Sequence, residues 1–268
     1  MPKPKVCVLR VAGTNCDVET KYAFEKAGAC AERIHVNRLA KERRLLARFQ
    51  ILAVPGGFSY GDDVGAGKVQ AVELMHRLGD EVRAFVDADK LVIGICNGFQ
   101  VLVKTGLLPG GASTPRVLGG GGASRKQTVT LASNDSNRFE DRWVRLRVDT
   151  SRSVFISPGQ VLTLPVAHGE GKFIPQDDAT LEELRDAGQI VFRYVGANGG
   201  KPVYPENPNG SVDDVAGICD PTGRILGLMP HPERHVEPWH HPRWTREGLK
   251  EQGDGFQVFQ NAVRYFTA

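Results

Sequence analysis

The sequence lacks several features that would place it in a familiar protein class. Its five cysteines include no C-x-x-C pair, which argues against a small disulfide-rich scaffold and favours a reducing compartment. No apolar run approaches the roughly 20 residues that span a bilayer. No N-terminal signal sequence precedes the first strand-like run. We therefore expect a soluble, cytoplasmic protein.

The charge is nearly balanced. The 268 residues include 34 basic and 31 acidic side chains, a net charge of +3, which argues against nucleic acid or an anionic membrane as the main partner. A hydrophobic content of 41% is enough for one large α/β domain or two small ones. No linker or internal repeat divides the chain, so we expect a single domain over residues 1–268.

Buried strands alternate with helices in the first hundred residues. Thr14 or Asn15 is the expected cap of the first helix. This order predicts a parallel sheet with right-handed crossovers and a site at the carboxyl ends of its strands. The predicted strands are 6–11, 31–36, 51–54 and 91–95, and the predicted helices are about 15–26, 39–49, 69–78 and a further one up to 87.

The pattern changes after the first hundred residues. A glycine-rich stretch at 109–124 predicts a surface loop, and short alternating segments after it predict an antiparallel section beside the parallel sheet. The fold class is therefore α/β, a mostly parallel open sheet flanked by helices with a smaller antiparallel section. The later predicted elements are strands at 128–131, 142–148, 161–166, 189–194, 215–219 and 225–229, and helices at 179–187 and 255–266.

Cys96 stands where a buried strand ends and a helix begins. The spacing Gly94-x-Cys96-x-Gly98 is that of a nucleophile elbow with sulfur in place of the serine hydroxyl. A helix N-terminus also favours thiolate over thiol. The alternative at this point is a buried cysteine in a glycine-rich turn. Cys16 is a second cysteine near a helix start, but it lacks flanking glycines and sits beside Asp17, so we interpret it as structural.

A histidine and a carboxylate follow a later strand. His231 and Glu233 are two residues apart, so their side chains point to the same side of an extended segment. Prolines on both sides of His231 keep that segment stiff. Cys96, His231 and Glu233 thus form a candidate set of nucleophile, base and orienting group. His235, four residues after His231, offers a zinc alternative, but that spacing requires a helix and the prolines disfavour one; no metal site is predicted.

Pro55-Gly56-Gly57 directly follows the third predicted strand. Paired glycines permit positive φ and leave backbone N–H groups exposed at the strand's carboxyl end. A plain turn and an anion-stabilising loop both explain the motif. Its expected position on the same sheet edge as Cys96 favours the second.

Together these motifs resemble the class I (triad) glutamine amidotransferases. Longer segments, covering the chain from about 5 to 266, resemble the glutaminase subunits of phosphoribosylformylglycinamidine synthase. Two departures from that family concern the partner contact: the glycine-rich stretch at 110–124 is longer than usual, and no arginine stands near Gly65. The segments that carry the resemblance are 56–62, 96–100, 167–171, 207–211 and 227–234.

The resemblance implies hydrolysis of L-glutamine to glutamate and ammonia through a Cys96 thioester. The backbone N–H groups of Gly57 and Asn97 would bind the oxyanion, and His231, oriented by Glu233, would protonate the departing ammonia and then activate water. The resemblance also implies three substrate-binding residues, Gln100, His168 and Glu170. His168 and Glu170 would lie either at the glutamine site or at a subunit boundary.

The resemblance further implies two partners, a large synthetase subunit and a small third subunit. ATP and Mg are expected on the synthetase, which would convert formylglycinamide ribonucleotide to formylglycinamidine ribonucleotide in de novo purine synthesis. No cofactor is expected on this chain. The alternatives are a thiol hydrolase or peptidase of similar fold and a non-catalytic regulatory subunit.

Overall fold

The computed structural model describes residues 2–110, 127–149 and 152–267, so most of the predicted glycine-rich loop at 109–124 lies outside the described residues. The strands are β1 Lys5–Arg10, β2 Cys30–His35, β3 Ile51–Val54, β4 Leu91–Ile95, β5 Val129–Ser133, β6 Glu140–Val148, β7 Val161–His168, β8 Glu170–Pro175, β9 Ile190–Val195, β10 Val215–Cys219 and β11 Ile225–Leu228. The helices are α1 Asp17–Lys26, α2 Val36–Lys41, α3 Lys68–Asp87, α4 Asn97–Lys104, α5 Asp178–Asp186, α6 Trp244–Glu247 and α7 Phe256–Arg264.

Nine of the strands form one sheet in the order β2-β1-β3-β4-β11-β10-β9-β6-β7. The first five pair in parallel, and the remaining pairings are antiparallel. The predicted α/β fold class is confirmed. Most of the antiparallel section continues the parallel sheet edge to edge, and only β5 and β8 form a separate two-stranded sheet.

The strands β3 and β4 are buried along their whole length, as expected for central strands covered on both faces. On the outside of the sheet, α7 packs against α1 through an edge-to-face contact of Phe24 and Phe259, whose ring centroids lie 4.9 Å apart. Among the described residues, no helix combines the length and apolarity needed to cross a bilayer.

Two local predictions in the first half were wrong. The helix predicted at 39–49 ends at Lys41 and is followed by a separate 3-10 turn at Leu46–Arg48, because the basic residues between them are exposed and offer no apolar face to continue it. The first helix has Cys16 at its N-cap without a side-chain cap bond. The Thr14 hydroxyl instead accepts a hydrogen bond from the backbone of Val11.

The predicted break near residue 78 is confirmed. Helix α3 runs from Lys68 to Asp87, but Leu78 has non-helical dihedral angles of φ −135° and ψ 15°. Leu78 is buried and Gly79 follows it, so the helix bends where its apolar face turns onto the core.

Candidate active site

The strand, turn and helix predicted around Cys96 are present. Cys96 joins β4 to α4 with a positive φ of 51°, a conformation that is strained for a residue with a side chain. The flanking glycines are required by close approach. A Cβ on Gly98 would lie 1.8 Å from the carbonyl oxygen of Val54, and one on Gly94 would lie 2.6 Å from that of Gly98. The turn therefore packs directly onto β3 and holds Cys96 at the sheet edge.

The sheet brings His231 and Glu233 to the same edge. Strand β11 pairs in parallel with β4, with Leu228 opposite Ile95, so the residues that follow the two strands are neighbours. His231 Nδ1 lies 2.6 Å from a carboxylate oxygen of Glu233, and both residues are 1% exposed. Such a pair fixes the orientation of the imidazole and leaves Nε2 as the ring nitrogen available to Cys96.

Gly56 lies against both His231 and Cys96, the predicted base and nucleophile. A Cβ built on Gly56 would lie 2.8 Å from His231 Cε1 and 3.4 Å from Cys96 Cβ. Any side chain at this position would enter the space between the two groups. The end of β3 therefore forms one wall of the site.

The electrostatics of His231 favour a protonated ring. Burial by itself lowers the pKa of His231, but the negative charges of Glu233 and Cys96 outweigh burial and raise this pKa well above its usual value. A proton taken from Cys96 is thus stabilised on the ring. The arrangement is suited to storing a proton during nucleophilic attack.

The two predicted oxyanion donors lie on segments that are joined to each other. Gly57 has a φ of 144°, and a Cβ there would lie 2.6 Å from both Asn15 N and Gly13 O, which explains the glycine. Asn97 is the first residue of α4, where backbone N–H groups have no intrahelical acceptor. Its side chain accepts a hydrogen bond from Ser59 N at 3.3 Å and so ties the helix to the loop after Gly57.

The side chains of Gln100 and Glu170 brace the surroundings of the site. Gln100 Nε2 donates to the backbone oxygen of Glu170 at 2.5 Å, and Gln100 Oε1 accepts from the Asn97 amide at 3.0 Å. The Glu170 carboxylate accepts a hydrogen bond from the backbone of Ala66 at 3.2 Å. Both side chains therefore hold protein groups, and their contact with substrate stays a prediction.

His168 is buried at the end of β7, next to the nucleophile. The residue before it, Ala167, accepts a hydrogen bond from the Cys96 thiol at 3.6 Å. The Asn134 amide nitrogen donates to the backbone oxygens of Arg138 and His168, so its oxygen faces His168 Nδ1 at 3.1 Å and that nitrogen carries the proton. Burial lowers the pKa of His168 to about 3, and the charge of His231 adds to this effect. The ring is therefore neutral.

Cys16 lies beside His231, the predicted base, a position that the structural interpretation of this cysteine missed. Its sulfur is 4.0 Å from His231 Nδ1 and accepts a hydrogen bond from the Arg234 guanidinium at 3.1 Å. Burial raises the pKa of the Cys16 thiol, which keeps it protonated and argues against a nucleophilic role. The available signal was its place after β1, whose carboxyl end lies on the same sheet edge.

Comparisons with known proteins agree with this geometry. Residues 3–266 match the family described as CobB/CobQ-like glutamine amidotransferase domain. A phosphoribosylformylglycinamidine synthase subunit PurQ from Dehalococcoides mccartyi is 49% identical, over 99% of this chain and 98% of that protein. The PurQ subunit of Archaeoglobus fulgidus is 40% identical, over 97% and 96%.

Solved structures give the same result. A chain of PurLQS from Thermotoga maritima aligns over 99% of this chain and 100% of its own length, with a TM-score of 0.73 and 30% identity. A glutamine amidotransferase from the same organism aligns over 100% and 93% with a TM-score of 0.52 at 16% identity, which shows the shared fold alone. The chain belongs to the PurQ family, the glutaminase subunits of phosphoribosylformylglycinamidine synthase, within the glutamine amidotransferases.

Proposed function

We propose that this chain hydrolyses L-glutamine to glutamate and ammonia at Cys96 and delivers the ammonia to a synthetase subunit. The synthetase uses it, with ATP, to convert formylglycinamide ribonucleotide to formylglycinamidine ribonucleotide in purine synthesis. The observation that carries this function is the placement of Cys96 beside the His231–Glu233 pair on neighbouring parallel strands. Because nucleophile, base and orienting carboxylate are all present, a purely regulatory subunit is disfavoured.

The reaction begins with attack of the Cys96 sulfur on the side-chain amide carbon of glutamine. His231 takes the thiol proton and, on collapse of the tetrahedral intermediate, gives it to the departing nitrogen, which leaves as ammonia. The γ-glutamyl thioester that remains is hydrolysed by water, from which His231 again accepts the proton. Glu233 stays ionised, orients the ring through Nδ1 and stabilises the imidazolium.

The oxyanion of each tetrahedral intermediate is bound by backbone N–H groups. Gly57 and Asn97 supply them from the loop after β3 and from the first turn of α4. The α4 dipole adds a favourable potential at the same point. Because Asn97 also bonds Ser59, the two donors are positioned as one unit.

The partners follow from the family. The relatives are PurQ subunits, and the similar solved chain comes from the PurLQS assembly. We assign ATP and Mg to the PurL-type synthetase, a PurS-type small subunit to the complex, and no resident cofactor to this chain. We also assign the protein to the cytoplasm and to a single domain spanning residues 1–268.

Cys96→Ala in the assembled complex tests this function. We expect glutamine-dependent formation of formylglycinamidine ribonucleotide to fall by about 10³-fold or more, because the nucleophile is lost. Added ammonium salt should still support the synthetase at the wild-type rate. Co-purification of the variant with its synthetase is the control for assembly. Loss of both activities in the assembled complex would contradict the proposal.

A further inference from the structure

A group of metal-ligating side chains lies on the side of His231 that bears Nδ1. One ligand atom from each of Cys16, His231 and Glu233 lies within 4.8 Å of the other two. All three residues are 1% exposed. The reaction uses His231 and Glu233, but it leaves the Cys16 thiol without a role.

Glu233 provides a second, independent observation. One of its carboxylate oxygens bonds His231, and the other, Oε2, is buried without a hydrogen-bond partner among the described residues. A buried, unpaired carboxylate oxygen is costly. A bound cation would satisfy it.

The ligand set is that of zinc. Thiolate sulfur, imidazole nitrogen and carboxylate oxygen are the three donor types that Zn²⁺ accepts, at about 2.0–2.3 Å from the ion. His231 Nδ1 lies 4.0 Å from Cys16 Sγ and 2.6 Å from Glu233 Oε1. The distance between two ligand atoms bound to the same zinc ion falls between these values. The Arg234 guanidinium, which already donates to the Cys16 sulfur, would support the thiolate from outside.

We propose that Cys16, His231 and Glu233 form an inhibitory binding site for Zn²⁺. Binding releases the Cys16 thiol proton to solvent, and the ion takes the place of the proton on His231 Nδ1, with no electrons transferred. The ring is then neutral with its one proton on Nε2, so it no longer accepts a proton from Cys96. Glu233 is withdrawn from its bond to Nδ1 at the same time, and glutamine hydrolysis stops.

Direct binding tests the site without any enzymatic readout. In the full-length Cys96→Ser variant, calorimetric titration with zinc chloride should show one bound ion per chain. Adding Cys16→Ala should weaken this binding at least tenfold. The matched control adds Cys30→Ala instead, because Cys30 is an exposed free cysteine, and it should bind as the single variant does. If Cys16→Ala leaves the affinity for zinc unchanged, the proposed zinc site is wrong. This result does not depend on which substrate the enzyme hydrolyses.

Inhibition of the active enzyme gives the second arm. In the complex with Cys96 intact, the rate of glutamine hydrolysis of each protein in zinc is compared with its own rate without metal. The Cys16→Ala variant should need at least tenfold more zinc than the wild type for half inhibition. Equal sensitivity would mean that zinc acts through Cys96 or elsewhere, and the proposal would fail. Thermal unfolding checks that the variants fold, and Cys16→Ser replaces Cys16→Ala if the alanine variant is unstable.

Discussion

The backbone N–H of Cys96 donates to the carbonyl oxygen of Leu228 at 2.8 Å. This bond joins the turn that carries the nucleophile to the strand that leads to His231. The distance between nucleophile and base is therefore set by the pairing of β4 with β11, and both neighbouring strands are buried. The placement of Cys96 beside His231, the predicted catalytic pair, therefore depends on the packing of the whole parallel half of the sheet.

Glu233→Gln should lower glutaminase kcat/KM by about 10³-fold or more, because removing the carboxylate from a comparable triad costs about 10⁴-fold in kcat. The amide keeps the shape of the side chain but removes the charge that raises the pKa of His231, so that pKa falls. Steady-state kinetics across pH would measure both effects. Wild-type activity in an assembled Glu233→Gln complex would contradict the role of Glu233.

The same variant predicts a pH-dependent loss of stability. The folded-state pKa of His231 is raised, so protonated His231 stabilises the folded protein. This stabilisation is fully present below the unfolded-state pKa of about 6.5. It is lost as the pH rises through the folded-state pKa. The difference in unfolding free energy between wild type and Glu233→Gln should therefore be largest at pH 6 and shrink toward pH 9. Urea titrations at both pH values measure it, and a constant difference would contradict the prediction.

His168→Gln should make the protein less sensitive to acid. His168 is neutral when folded, with a pKa of about 3, but binds a proton in the unfolded chain below about pH 6.5, so wild-type stability falls with pH. Between pH 7 and pH 5 the wild type should lose about 2 kcal/mol of unfolding free energy through His168, and the variant should not show this loss. Unfolding free energies at the two pH values test this. His76→Gln changes an exposed histidine of α3 and should keep the wild-type dependence.

Gly98→Ala should destabilise the protein severely. The new Cβ would lie 1.8 Å from the carbonyl oxygen of Val54, so β3 or the Cys96 turn must move. We expect a loss of at least about 3 kcal/mol, in the range of large packing defects. Gly169→Ala is the matched control, because nothing lies within 4 Å of its Cβ position, and its melting temperature should stay near that of wild type. Equal melting temperatures for the two variants would contradict the close-packing argument.

Glu170→Ala should slow the reaction through the loop that carries Gly57, the predicted oxyanion donor. Its carboxylate holds Ala66 N, nine residues after Gly57 in the same loop. Loss of an oxyanion donor costs about 10²–10³-fold, so loosening one should cost about tenfold in kcat. Glu170→Gln retains an acceptor oxygen and should recover most of the rate. If the Glu170→Gln variant is no faster than the Glu170→Ala variant, the hydrogen bond to Ala66 is not the cause of the lost rate.

The parts of the site that the sequence predicted correctly depend on local geometry. Glycines two residues either side of Cys96 are needed for a tight turn, so the elbow could be predicted from spacing alone. The contact between His231 and Glu233 follows from two residues in an extended segment. The alternation of strands and helices predicted which residues meet at one sheet edge, because parallel strands have their carboxyl ends together.

Contacts between distant segments were decided only by the tertiary structure. Cys16 lies 215 residues before His231 in the chain. Its place after β1 indicates the sheet edge on which it lies, but not that its side chain meets that of His231. The Glu170 carboxylate accepts a hydrogen bond from Ala66, 104 residues earlier, a contact that its own motif, which left the residue open between the glutamine site and a subunit boundary, did not indicate. The sequence by itself thus determined the turn at Cys96 and the contact of His231 with Glu233, since short-range sterics specify each. Which further side chains surround them was decided by strand order and packing, since those bring together residues that no local pattern relates.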